Sequence, residues 1–338
     1  MERVFATFSG LGFKDNSIFD LNHPSNRDNC LYPFHLLRNS LLKNGIELNT
    51  PDISSATEIV FSLDMDVHSP YSSAPSYLLM LETPQIRVEN GSPQNWERYK
   101  KIFTWNDDLV DGDKYIKINF PNNIEIKAPD GFFARENFCC LISSNRALTI
   151  SDTRDLYIER VAAIRWFEKN APEDFLLYGV DWNIPAARSG IRGALERRLW
   201  KGIGRFIKLH PFPSYRGKVD SKRNVLEKTR FSICYENVRD LPGYITEKIF
   251  DCFFAGCIPI YWGASNVTEH IPEDCFIDRR QFNDMSDLYH FMRAMTDAEF
   301  VGYQQRISDF LSSEAAQPFE AHFFAETIVK TIVEDLGV

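Results

Sequence analysis

Between Phe231 and Gly263 the chain reads FSICYENVRDLPGYITEKIFDCFFAGCIPIYWG. An apolar run of strand length, Phe231–Glu236, gives way to a polar loop, 237–244. A second apolar run of helix length follows, Ile245–Ala255, closed by Gly256. Glycine accepts the left-handed conformation that ends helices. A third run, IPIYW (258–262), is again of strand length, and Gly263–Asn266 forms a second loop. Strand, helix and strand in that order specify a parallel pair joined by a crossover, which excludes all-α and all-β folds for this region.

Similar runs recur along the chain. Arg3–Phe8, EIVFSLD (58–64), SYLLMLE (76–82) and KIFTWND (101–107) read as strands, and Cys30–Lys43 as a helix stopped at Asn44-Gly45. The turn-rich stretch NNIEIKAPDGFFARE (122–136) marks a boundary. Beyond it, NFCCLISSN (137–145) is a buried strand, Asp155–Asn170 a helix and DFLLYG (174–179) a strand. The expectation is an α/β chain with two Rossmann-like domains and a cleft between them. Residues 1–128 form the first domain, 129–312 the second and 313–338 a helical tail, with one or two helices over Pro318–Leu336.

At 338 residues the chain has room for two domains. Its 44% hydrophobic and 25% charged residues suit a globular protein, and a net charge of −9 argues against nucleic acid as a partner. No apolar run reaches the roughly 20 residues of a membrane helix, and MERVFATFSG lacks a signal-peptide core. The expected location is cytoplasmic, peripheral to a membrane if the basic segment described below binds one. Six of the seven cysteines sit in or beside apolar runs, as reduced core thiols would. The sequons at Asn90 and Asn266 are expected to be incidental.

The polar groups around the helix start at 245 have a specific chemistry. In open α/β sheets ligands collect beyond the carboxyl ends of the strands, where both loops fall. Thr246 is placed to cap free amides, and those amides with the helix dipole favour an anion. Lys248 in the first turn opposes the dipole unless an anion neutralises it. A phosphate would do so, and the Glu247 carboxylate could accept bonds from vicinal ribose hydroxyls. Together these describe a nucleotide-sugar donor. A capped helix with Glu247 and Lys248 in solvent is the plainer alternative; Asn237 and Asn266, each at a strand exit, favour a site.

The segment YENVRDLPGYITEKIFDCFFAGCIPIYWGASN, continuing through HIPEDCFIDRRQF (270–282), resembles the donor-binding region of family 10 fucosyltransferases. CCLISSN (139–145), ERVAAIRWF (159–167) and LETP (81–84) are similar to further family motifs. The resemblance implies the GT-B fold and inverting transfer of L-fucose from GDP-fucose to a glycan hydroxyl, in α1,3 linkage to GlcNAc or glucose. It implies donor contacts from Glu247 and Lys248 (ribose and phosphate), Arg160 (diphosphate), Tyr244 and Asn237 (guanosine and fucose). Ser144, Asn145, Tyr178 and Asn266 would lie beside the donor, and Glu236 would contact the sugar or order the loop. Glu82 matches the glutamate assigned as general base, with Glu89 and then Asp107-Asp108 as alternatives. No metal ligand set and no obligatory cofactor is implied, a divalent metal being at most stimulatory. GDP-fucose is a co-substrate, and the acceptor is an oligosaccharide or lipid-linked glycan. The family's Asp before Tyr-Ile-Thr-Glu-Lys is Gly243 here. Rival readings are a GT-B transferase using another GDP-sugar, and a non-catalytic nucleotide- or glycan-binding protein of the same fold.

Two other features need a reading. Asp64 and Asp66 have the DxD spacing that metal-dependent glycosyltransferases of another fold use, but the pattern is short and reads as a loop; His210 and His270 read as structural or exposed. Arg188–Arg223 gathers eleven basic residues, with Ile191, Leu195, Leu199, Ile203 and Phe206 or Ile207 at helical spacing. Such a helix over 188–209 lies on an anionic membrane surface, or else packs its apolar side on the domain and leaves its charges in water.

Overall fold

The computed structural model describes residues 3–337 except 11, 55–56, 66–72, 205–206 and 208–209. Asp66 and Phe206, named above, lie outside the described residues, as do Arg205 and Lys208 of the eleven basic residues between 188 and 223. The chain divides into two compact units, one of residues 1–124, 242–244 and 316–338, the other of 125–241 and 245–315.

The first unit is built on β1 (Val4–Ser9), α1 (Tyr32–Lys43), β2 (Ile46–Asn49), β3 (Ile59–Leu63), β4 (Ser76–Met80), a short α2 (Pro93–Trp96), β5 (Lys101–Thr104) and β6 (Tyr115–Lys117). The strands form one sheet in the order β2-β1-β3-β4-β5-β6, every pair parallel. Parallel strands buried on both faces read as unbroken apolar runs, which is why β3, β4 and β5 were legible. Two strands had no such signal: β2 has only four residues and β6 only three.

The second unit contains β7 (Asn137–Ile142), α3 (Leu156–Asn170), β8 (Phe175–Tyr178), α4 (Gly190–Ile203), a short α5 (Arg223–Leu226), β9 (Thr229–Tyr235), α6 (Glu247–Phe254), β10 (Ile258–Trp262), a short α7 (Val267–His270), β11 (Ile277–Asp278), α8 (Met285–Ala294) and α9 (Asp297–Leu311). Its strands are also all parallel, in the order β11-β10-β9-β7-β8. The chain order therefore reverses between β7 and β9, and such a switch point opens a crevice at the carboxyl ends of the two strands. Arg135, 1% exposed, ties this unit together: it donates to the Leu226, Thr229 and Ala255 carbonyls and to Asp130.

The terminal helix α10 (Ala321–Leu336) is not a separate tail. Its Phe324, Ile328, Val329 and Ile332 join Phe8, Leu37, Leu41 and Phe61 in the core of the first unit. The first unit also ends at Ile124 rather than at 128. Six cysteines are buried and only Cys30 is exposed, all seven as free thiols. Among the described residues no helix is long and apolar enough to cross a membrane.

Candidate active site

Strand β9 ends in Tyr235, and the next residue, Glu236, is fully buried. Its backbone N–H continues the sheet by donating to the Trp262 carbonyl, 2.8 Å away. A carboxylate with no access to water must be matched by donors. Thr246 supplies its N–H at 2.9 Å and its hydroxyl at 2.8 Å, and Lys248 supplies its ammonium at 3.0 Å. The Thr246 hydroxyl oxygen also accepts from Lys248 Nζ at 2.9 Å. Thr246 is the N-cap of α6, so the helix start, the strand end and the lysine are locked in one cluster. Of the two roles open to Glu236, this geometry is that of ordering the loop. Gly263 makes the close approach possible: a Cβ there would fall 2.5 Å from Glu236 Cγ and 2.3 Å from the Tyr261 hydroxyl.

Around this cluster the charges alternate. Lys222 Nζ lies 2.7 Å from Asp251 Oδ2 and 3.7 Å from Glu247 Oε1, and Lys248 lies 3.9 Å from Glu247. Desolvation works against the Glu247 carboxylate, but Lys248 and Lys222 pull its pKa down to about 2. Burial pushes Asp251 up to about 7; Lys222 opposes this and Glu247 adds to it. Lys248 is depressed by desolvation yet raised overall by Glu236 and Glu247. Lys222 and Asp251 were missed in the sequence. Asp251 stands four residues after Glu247 on the same helical face, a spacing that could have revealed it.

Arg160 on α3 lines the same cavity as Lys222, Lys248, Asp251 and Tyr235. Its Nη2 donates to the Tyr235 and Glu236 carbonyls (2.6 and 2.7 Å) and to Asn237 Oδ1 (3.1 Å). Ser143, just past β7, lines the cavity too, and its hydroxyl has no hydrogen-bond partner among the described residues. Cations and a hydroxyl thus converge at the switch point between β7 and β9, beside the amides of α6. This is a setting for an anionic ligand.

The other expected site residues are placed differently. Asn145 is fully buried, and its amide donates to the Asp181, Ile184 and Pro185 carbonyls while accepting from Ala187 N–H. It clamps the loop after β8. Ser144 is half-buried beside it, and Tyr178 closes β8 opposite Ile142 of β7. Asn266 stands at the N-cap position of α7, and its amide donates to Glu269 at 3.0 Å. Tyr244 belongs to the first unit, its ring 4.8 Å from Trp105 and 5.8 Å from Phe120. Gly243 before it has φ +79°, and a Cβ there would fall 2.2 Å from the Trp105 carbonyl. The departure from the family's Asp therefore goes with a backbone that excludes a side chain.

Glu82 follows β4 in the first unit. Asp64 Oδ1 accepts from the N–H groups of Leu81 and Glu82 and from the Asn90 amide, each at 2.9 Å. Asn90 donates in turn to the Glu82 carbonyl (2.8 Å) and accepts from Met65 N–H (2.8 Å). Burial raises the Asp64 pKa, the three donors acting against it. Asp64 is thus the clamp beneath Glu82, and no group of three or more acidic, His or Cys residues suited to a metal occurs among the described residues. Asn90 is fully buried, so its sequon is closed to a glycan. Glu89 lies 3.7 Å from Arg87, and Asp107 pairs with Lys117.

The chain resembles known proteins in sequence and in fold. The model of the C-terminal part of glycosyltransferase family 10 (fucosyltransferase) matches residues 201–314. The chain is 32% identical over 75 residues to an alpha-(1,3)-fucosyltransferase of Helicobacter pylori, covering 22% of this chain and 16% of that protein. It is 35% identical over 68 residues to an alpha-(1,4)-fucosyltransferase of Arabidopsis thaliana, covering 20% and 17%. The matched segments are thus less than a fifth of these relatives' own lengths. Crystal structures of an alpha1,3-fucosyltransferase share the fold. The one with GDP has a TM-score of 0.56 at 15% identity, covering 98% of this chain and 91% of that one. The one with GDP-fucose has 0.51 at 14%, covering 98% and 90%. Residues 201–314 are thus similar to the C-terminal part of glycosyltransferase family 10 (fucosyltransferase), and the chain folds into two α/β units as the GT-B alpha1,3-fucosyltransferase structures do.

Proposed function

We propose that the protein transfers L-fucose from GDP-fucose to a glycan hydroxyl with inversion. The observation that carries this reading is the buried Glu236–Thr246–Lys248 cluster at the start of α6, within the segment that matches family 10. In this reading Lys248, Arg160 and the first amides of α6 stabilise the charge that develops on the departing diphosphate. Lys222 is a fourth positive group in the same cavity. Glu247, held ionised by two lysines, accepts bonds from the ribose hydroxyls. Asn237, whose oxygen Arg160 holds, completes the donor contacts of this unit.

Inversion requires a base that takes the acceptor proton on the side of the sugar away from the leaving group. Glu82 is assigned this role: its backbone is fixed by Asp64 and Asn90, a rigidity that general-base catalysis exploits. The acceptor is taken to be a GlcNAc or glucose residue of an oligosaccharide or lipid-linked glycan, at its 3-hydroxyl. One relative is named an alpha-(1,4)-fucosyltransferase, so the assay reads the linkage of the product as well as its formation.

The test is fucose transfer from GDP-fucose to N-acetyllactosamine and lactose, with GDP-mannose as a control donor. Fucose-dependent turnover that Glu82→Gln lowers by about 10²–10⁴-fold, with GDP affinity unchanged, is the expected result. Turnover that survives the substitution would transfer the base role to another residue. Absence of GDP binding would refute the donor assignment.

A further inference from the structure

The helix α4 (Gly190–Ile203) is oriented opposite to an ordinary surface helix. Its apolar stripe faces outward: Ile191 is 83% exposed, and Leu195 and Leu199 are each 62% exposed. Ile207, on the same spacing, is 58% exposed. The inward side is made by Gly193, Arg197 and Trp200. Gly193 is buried so tightly that a Cβ would fall 2.0 Å from the Arg188 carbonyl. Arg197 donates to the Asn145 carbonyl and, at 2.6 Å, to Asp181, and Lys201 pairs with Asp181 at 2.7 Å. The charge network thus fixes the rotation of the helix and holds the leucines outward. Of the two readings of this segment, the one with its apolar side packed on the domain is the one the structure overturns.

At about 100° per residue, Ile191, Leu195 and Leu199 form a continuous strip. Arg192 falls at one edge of it and Arg198 at the other, and both are exposed. Glu196 is the only acidic residue of the helix, against Arg192, Arg197, Arg198 and Lys201. This basic stripe sits on a chain whose net charge is −9.

We propose that α4 is a docking helix for an anionic lipid surface, its leucine stripe entering the headgroup–acyl boundary while Arg192 and Arg198 meet lipid phosphates. Exposed apolar residues flanked on both sides by cations are what an interfacial helix presents. Large exposed apolar side chains in a row leave solvent-facing area that water does not favour. The flanking cations select a negatively charged surface, rather than a neutral one, to cover it.

The test uses the full chain in flotation with vesicles of phosphatidylcholine alone and of phosphatidylcholine mixed with phosphatidylglycerol. Binding is expected only to the anionic vesicles, and raised salt should weaken it. Arg192→Gln and Arg198→Gln should each weaken it by about five-fold. Leu195→Glu should weaken it by at least about ten-fold while leaving the melting temperature unchanged, since the side chain is exposed. Four results would overturn the proposal: no flotation with anionic vesicles, equal flotation with neutral ones, binding that Leu195→Glu leaves intact, or a dimer in light scattering that Leu195→Glu dissolves in a protein that ignores lipid.

Discussion

Replacing Glu236 by Gln separates its two roles. The side chain keeps its shape and a carbonyl oxygen for Thr246 N–H, but loses the charge that faces Lys248 at 3.0 Å. Breaking a buried ion pair by removing one charge costs about 3–5 kcal/mol. Here the cost is smaller, because the Lys248 side chain is 25% exposed and Glu247 remains 3.9 Å away. A loss of about 2 kcal/mol is expected, which for a unit of this size lowers the melting temperature by about 4–8 °C. Nucleotide binding should move the other way. Two unit charges about 6 Å apart repel by roughly 3 kcal/mol at an effective dielectric constant of about 20. Relieving even half of that between Glu236 and a bound phosphate would tighten GDP by about ten-fold. Calorimetric titration with GDP beside thermal unfolding with and without it reads both effects. A variant that is less stable yet binds GDP more tightly supports the cluster as a preloaded phosphate site. A variant that loses stability and affinity together would refute it, since the glutamate would then be needed to hold the lysine in place.

Three further outcomes follow from the geometry. Asp251 titrates near pH 7 when folded and near its ordinary value when unfolded, so between about pH 4 and pH 7 the folded state holds a proton that the unfolded state has lost. Its contribution to stability therefore declines as pH rises through that window, by at most about 1.4 kcal/mol per pH unit; the stability of Asp251→Asn relative to wild type should rise across the window and level off above it, and a pH-independent difference would contradict the assignment. Gly243→Ala should cost more than Gly112→Ala in thermal unfolding. Both have positive φ and share a strain of about 1 kcal/mol, but only at 243 would the new Cβ meet a carbonyl, at 2.2 Å, whereas at 112 nothing lies within 4 Å. Finally, Asn90→Ala should destabilise by about 1–3 kcal/mol, since it orphans part of the buried Asp64 carboxylate, and a neutral effect would show the clamp to be dispensable.

The central strands and the helix starts of this fold are legible because each has a local cause: an unbroken apolar run, a capping threonine, a terminating glycine. Glu247 and Lys248 were singled out by that logic. Lys222 was not, because its partner Glu247 comes from a distant part of the chain and its nearest neighbours in sequence are merely basic. The start of α9 carried a readable signal, Thr296 and Glu299 closing a reciprocal capping box. For α4 the spacing gave the helix but not its rotation. Periodicity says which residues share a face, and only the Arg197–Asp181 pairing says which face is turned inward.

The knot of Asp64, Glu82 and Asn90 has a consequence for how such a chain can diversify. It closes the neck of the segment 83–89, bringing its two ends into hydrogen-bonding distance. A loop sealed at its base can change length cheaply, because doubling a flexible loop costs only about 0.6 kcal/mol in closure entropy. Insertions there would alter what the loop touches while the strand ends keep Glu82 where it is. The loop and the position of Glu82 can then vary independently, the first by loop grafting and the second held by the buried side chains of Asp64 and Asn90.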